Sequence, residues 1–296
     1  MDIGGSICAI ATPFGADGAL DLAAFGRLID FQLDGGTQGI VVAGSTGEAH
    51  MLDERDYERL LAAAVERVAG RVPVIAGTGE AATAKTVAVT RRAAALGADA
   101  ALVVTPYYVR PTQEGLRRHF GEVAAHGGLP VVMYNVPSRT GCDMLPETVA
   151  ALRDTAGVAG LKEAVGTPER IAAVAQLRRP GFVYLSGDDG TAAEAMLAGA
   201  GGVVSVVNNL VPGAFRALCD AALAGDRGAA ARHLARLAPL LGALGCAPNP
   251  IPVKAGLAEL GLCRAALRLP LVELPAGAAR TRIRDALLSL AGAAAA

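Results

Sequence analysis

Lysine is nearly absent from this chain of 296 residues. Only Lys85, Lys162 and Lys254 occur, so 24 of the 27 basic side chains (27 − 3) are arginines. Tryptophan is missing, and aromatic residues amount to 4%. With a net charge of −1 and no basic run, the electrostatic footprint of a nucleic-acid or anionic-membrane binder is lacking. Five cysteines (Cys8, Cys142, Cys219, Cys246 and Cys263) are odd in number and form no Cys-x-x-Cys, which argues against a disulfide scaffold and a zinc site. The four histidines (His50, His119, His126, His233) show no metal-binding pairing. No Walker sequence occurs, and Gly77-Thr78-Gly79 lacks the further glycine and acidic partner of a dinucleotide site. No uninterrupted apolar stretch is long enough to read as a membrane span. Met1-Asp2-Ile3-Gly4 is not a basic segment leading into an apolar core, so no signal peptide and a cytoplasmic location are expected.

What is present is a hydrophobic content of 52%, rich in Gly and Ala, as in an α/β enzyme with small residues at its helix-packing faces. Short runs of Val and Ile recur near residues 7–11, 39–43, 73–77, 100–105, 130–135, 158–162, 182–186 and 202–206. Each is followed by a longer amphipathic stretch, the repeat of a βα unit. The runs are continuous rather than alternating, as in a parallel sheet covered on both faces. Eight such units predict a closed (β/α)8 TIM barrel over residues 1–225, with an open doubly wound sheet as the alternative. Residues 226–296 have no strand signal and read as a C-terminal helical domain, with helices near 229–241 and 276–290. Between them Ala247-Pro248-Asn249-Pro250-Ile251-Pro252 reads as extended, and Ala293–Ala296 as a frayed end.

Lys162 ends an apolar run, Val158-Ala159-Gly160-Leu161, where a solvated charge does not belong. A buried ammonium is either paired, with Glu163 or another carboxylate, or loses its proton and becomes a nucleophile able to form a Schiff base. Barrel active sites lie at the C-terminal ends of the strands. There the chain has Gly44-Ser45-Thr46-Gly47-Glu48, a turn with two hydroxyls and backbone N–H groups suited to a carboxylate. It also has Thr105-Pro106-Tyr107-Tyr108, Tyr134-Asn135-Val136-Pro137-Ser138-Arg139-Thr140-Gly141, Gly187-Asp188-Asp189 and Gly202-Val203-Val204-Ser205. Of five tyrosines, three (Tyr107, Tyr108, Tyr134) fall at these strand ends, as mouth packing or as acid–base groups beside the lysine.

These blocks, with Gln113-Glu114-Gly115, Leu161-Lys162-Glu163-Ala164, Ser186-Gly187-Asp188-Asp189 and Pro248-Asn249-Pro250-Ile251-Pro252-Val253-Lys254, resemble the dihydrodipicolinate synthase family along essentially the whole chain. That family lies within the pyruvate-dependent class I aldolase superfamily, which also holds N-acetylneuraminate lyase. The resemblance implies a lyase of the diaminopimelate route to lysine, condensing pyruvate with L-aspartate 4-semialdehyde through a covalent imine on Lys162, with no other cofactor and no metal. It implies Tyr134 as acid and base, Ser45 and Tyr108 as a proton relay, and Thr46 as holder of the pyruvate carboxylate. Gly187 and Val204 would line the pocket, and Arg139 would bind the carboxylate of the semialdehyde with its planar fork. Tyr108 would come from a neighbouring subunit of a homotetramer, a dimer of dimers.

Two positions depart from the family pattern. Ser45 stands where many synthases have a threonine, and it retains the relay hydroxyl. Members inhibited by lysine carry a histidine, an asparagine and a glutamate at the positions of Tyr57, Ala81 and Lys85, so weak or absent feedback is expected here. The alternative reading is a sister pyruvate aldolase or lyase taking a different aldehyde, and Arg139 disfavours it.

Overall fold

The computed structural model describes residues 3–292, so the expected fraying of Ala293–Ala296 lies outside the described residues. Eight strands are arranged in chain order: β1 (Gly5–Ala9), β2 (Gly39–Val42), β3 (Val74–Gly77), β4 (Ala100–Val104), β5 (Val131–Asn135), β6 (Val158–Glu163), β7 (Val183–Ser186) and β8 (Gly202–Ser205). Each pairs in parallel with the next, and β8 pairs back with β1 to close a barrel. Between them run α1 (Leu22–Asp34), α2 (Glu54–Val68), α3 (Thr83–Ala95), α4 (Gln113–His126), α5 (Pro137–Thr140), α6 (Pro146–Leu152), α7 (Pro168–Ala175) and α8 (Ala192–Leu197). The eight expected strands are all present, and the fold is a (β/α)8 TIM barrel. The first strand starts two residues earlier than its apolar run, at Gly5 rather than Ile7, because Gly5 to Cys8 pair with β8. It also ends earlier, since the Ala11 N–H donates to the Asn209 side chain (2.9 Å) rather than to a strand.

Side chains alternate between two apolar layers. Ile7, Val41, Ile75, Leu102, Val132, Leu185 and Val204 fill the barrel interior. Ile40, Val42, Met133, Leu161 and Val203 point outward against helix residues such as Leu28, Leu60, Phe120 and Ile171. Burying one such aliphatic side chain is worth about 2 kcal/mol. Helix starts are marked by Asp21, Asp53 and Thr112, whose side chains accept from Ala24, Asp56 and Gly115 N–H groups.

After β8 the chain is helical: α9 (Pro212–Leu223), α10 (Arg227–Leu244), α11 (Ile251–Glu259) and α12 (Ala278–Gly292). Leu237, Leu240, Val253, Leu257, Ile283 and Leu287 belong to the same apolar cluster as the outer barrel face. Helix α11 corrects the sequence expectation, for residues 247–252 are not extended but bend into a helix that begins at Ile251. Pro252 sits in its first turn, where a missing N–H costs nothing, so proline there starts a helix instead of preventing one. Residues Pro252 to Leu257 are all buried, as expected of a helix embedded on every side.

Candidate active site

The pairing of β5 with β6 contains a β-bulge. Val131 pairs with Val158 but Val132 with Gly160, so Ala159 is an extra residue in β6. Beyond it Tyr134 lies opposite Lys162, and Asn135 opposite Glu163. Had the first register continued, Leu161 would oppose Tyr134 and Lys162 would turn to the outer face. The bulge therefore delivers the lysine to the barrel interior beside the tyrosine.

Lys162 is 6% exposed, and its Nζ lies 4.1 Å from the centroid of the Tyr134 ring. Burial lowers its pKa to about 7, with Asp189 opposing the shift and Arg139 adding to it. Among the described residues the ammonium forms no ion pair, and Glu163 is engaged elsewhere. The Glu163 carboxylate faces outward, where it accepts from Asn135 Nδ2 (3.1 Å), Val165 N–H (2.8 Å) and Arg170 (3.3 Å). Strand alternation thus removes the ion-pair alternative for neighbouring residues 162 and 163. Burial likewise raises the Tyr134 phenol to about 12, so it is protonated at neutral pH.

A cavity of about 530 Å³ opens above these two residues. Ser45, Thr46, Tyr134, Arg139, Lys162 and Gly187 all line it. Two expected residues do not. Val204 is buried in the interior layer, and Val206 takes the wall position instead. Tyr108 is 90% exposed and projects from its own chain, with a left-handed φ of 72°. Gly187 packs so closely on the lysine that a Cβ there would stand 3.0 Å from Lys162 Cε.

Several contacts at the mouth escaped the sequence reading. Asn249 donates from Nδ2 to Thr46 Oγ1 (2.9 Å), and its backbone carbonyl accepts from Arg139 (3.0 Å). The proline-flanked stretch that carries it was the available signal. Asp189 Oδ2 accepts the N–H groups of Val206 (3.0 Å) and Val207 (2.9 Å), which holds the turn after β8. At the rim Tyr107 donates to Glu80 Oε2 (3.0 Å) and stacks edge-on against His50. No local pattern marks those long-range contacts.

A lysine amine kept partly neutral by burial and faced by a phenol, in the mouth of a (β/α)8 barrel, defines a site built for amine attack on a carbonyl. The profile of the dihydrodipicolinate synthetase family matches residues 2–288, and the chain belongs to that family. A 4-hydroxy-tetrahydrodipicolinate synthase of Xanthomonas axonopodis pv. citri is 60% identical over 276 residues, covering 93% of this chain and 91% of the relative. The pyruvate complex of a chloride-inhibited dihydrodipicolinate synthase from Acinetobacter baumannii superposes with a TM-score of 0.95 at 40% identity, covering 98% and 99% of the two chains. A structure described as a monomeric dihydrodipicolinate synthase variant superposes with a TM-score of 0.94 at 40% identity, covering 97% and 96%.

Proposed function

We propose that the chain is a 4-hydroxy-tetrahydrodipicolinate synthase that joins pyruvate to L-aspartate 4-semialdehyde through an imine on Lys162. The observation that carries this reading is the unpaired, buried Lys162 facing Tyr134 across the bulged β5–β6 ladder. The neutral amine adds to the pyruvate ketone and water leaves, giving the imine. Loss of a methyl proton gives an enamine, whose carbon attacks the aldehyde of the second substrate. The substrate's own amine then attacks the imine carbon, closes the ring and releases Lys162.

In this reading Tyr134 passes protons at the imine and the new hydroxyl. Ser45 and Tyr108 extend the relay, with Tyr108 reaching the site of a neighbouring copy in a homotetramer. Its exposure on a strained loop supports that role. Thr46 holds the pyruvate carboxylate, Arg139 the semialdehyde carboxylate, and the backbone near Gly187 and Val206 closes the wall. Among the described residues, those up to 225 form the catalytic barrel, and those from 226 to 292 form a helical extension that supplies Asn249 to the mouth.

The test is borohydride reduction in the presence of pyruvate, with turnover of the semialdehyde and cleavage of N-acetylneuraminate assayed side by side. A pyruvyl adduct on Lys162 and turnover of the semialdehyde alone are expected. An adduct without semialdehyde turnover would identify a pyruvate aldolase with another acceptor, and no adduct would overturn the imine chemistry.

A further inference from the structure

The Gly44–Glu48 turn is bounded by two left-handed residues that are not glycine, Ala43 (φ 52°) and Glu48 (φ 56°). Such backbone is strained and persists only where surrounding contacts over-determine it. Thr12 Oγ1 donates to the Gly47 carbonyl (2.6 Å), and Asn249 reaches Thr46. Backbone bonds from the Glu48 N–H to the Ser45 carbonyl and from the Ala49 N–H to the Gly44 carbonyl (both 3.2 Å) add to these. A further restraint is the Glu48 side chain, which points away from the cavity toward the C-terminal segment.

Both carboxylate oxygens of Glu48 are used. Oε1 accepts from Lys254 Nζ of α11 at 2.6 Å, with both side chains fully buried. Oε2 accepts the Arg268 N–H at 3.0 Å. Lys254 Nζ and the Arg268 guanidinium also lie over the same Phe14 ring, at 4.3 and 4.5 Å from its centroid. Arg268 is in turn fastened to the Gly18 and Met51 carbonyls and to Asp56. A buried ion pair is a poor source of stability, because desolvation offsets its attraction and an apolar pair of the same volume serves as well or better. What it supplies is directional, charge-assisted bonding that sets one geometry. Neither Glu48 nor Lys254 lines the cavity, so any effect on the reaction passes through the turn.

We infer that Glu48 and Lys254 are positioning residues that hold the strained Ser45–Thr46 turn in its carboxylate-binding geometry. The inference rests on the pyruvate reading above. It makes the C-terminal helical segment part of the pyruvate site without touching pyruvate.

The test compares the parent chain with the Glu48→Gln/Lys254→Met double variant, which removes both charges while keeping volume. Single removal would strand a buried charge and threaten folding. Melting temperature, pyruvate KM, kcat and the pyruvate concentration for half-maximal borohydride adduct on Lys162 are measured together. The double variant is expected to melt no lower than the parent. Its pyruvate KM and half-maximal adduct concentration rise about tenfold or more, while kcat at saturation changes far less. If the double variant does not fold, Lys254→Arg takes its place, retaining charge but displacing the donor, with the same split expected. A folded variant whose pyruvate KM stays within about twofold of the parent overturns the inference, leaving the pair a purely structural contact. Absence of any adduct in the parent overturns the pyruvate reading instead, and the inference falls with it.

Discussion

Lys162 and Tyr134 are direct partners across β6 and β5, with the amine 4.1 Å from the tyrosine ring centroid. That one relationship places a buried amine and a phenol together on adjacent strands. It exists because Ala159 is looped out of the ladder. Burial then shifts both groups toward their neutral forms, the amine down to about 7 and the phenol up to about 12.

Activity should follow the amine. Only neutral Lys162 attacks, so kcat/KM for pyruvate is expected to rise with pH and level off above about 7. The same shift has a consequence for stability. Unfolded lysine titrates near 10.4, so the unfolded chain binds more protons between about 7 and about 10.4, and stability rises with pH across that window. Lys162→Met is therefore expected to abolish turnover. It should also raise the melting temperature over the parent most at pH values below 7, with the gain shrinking as pH approaches 10. Melting curves at several pH values check this, and a gain independent of pH would contradict it.

Arg139→Ala should separate the two substrates. Loss of a charge-assisted bond to the semialdehyde carboxylate is worth about 2 kcal/mol, or roughly thirtyfold in kcat/KM for that substrate. Borohydride trapping of pyruvate on Lys162 should persist. Equal losses for both substrates would show that Arg139 acts mainly through Asn249 and Thr46, to which it is linked.

Gly187→Ala should damage the reaction without unfolding the barrel. The added Cβ would meet Lys162 Cε at 3.0 Å and Ala164 Cβ at 3.2 Å, so the lysine side chain must move. A displacement of a few tenths of an ångström at the nucleophile is expected to lower kcat/KM about tenfold or more. Unchanged kinetics in a folded variant would show that the lysine has slack there.

Free L-lysine should inhibit weakly or not at all. Tyr57 and Lys85 line the cavity. The Lys85 ammonium repels the two amino groups of the ligand, where an acidic residue would attract them. A lysine titration of the activity checks this, and strong inhibition at sub-millimolar concentration would refute it.

Much of this protein is determined by local sequence. Eight continuous apolar runs alternating with amphipathic stretches specify parallel strands covered by helices, because each run must bury both of its faces. Gly44–Glu48, Tyr134, Lys162 and Gly187 could be assigned to the catalytic end because strand ends follow directly from strand positions. The proline stretch was misread because proline forbids the middle of a helix but favours its first turn, and only packing distinguishes the two.

Tertiary structure decided the rest. Whether Lys162 faces the interior depends on a one-residue bulge, and no periodicity within β6 announces it. The partner of Lys254 is Glu48, 206 positions away in sequence, and Asn249 reaches Thr46 across 203. Such contacts come from barrel closure and from the docking of the last helices over its mouth. A residue's type and local pattern state what it can bond, but only the closed chain settles which partner reaches it.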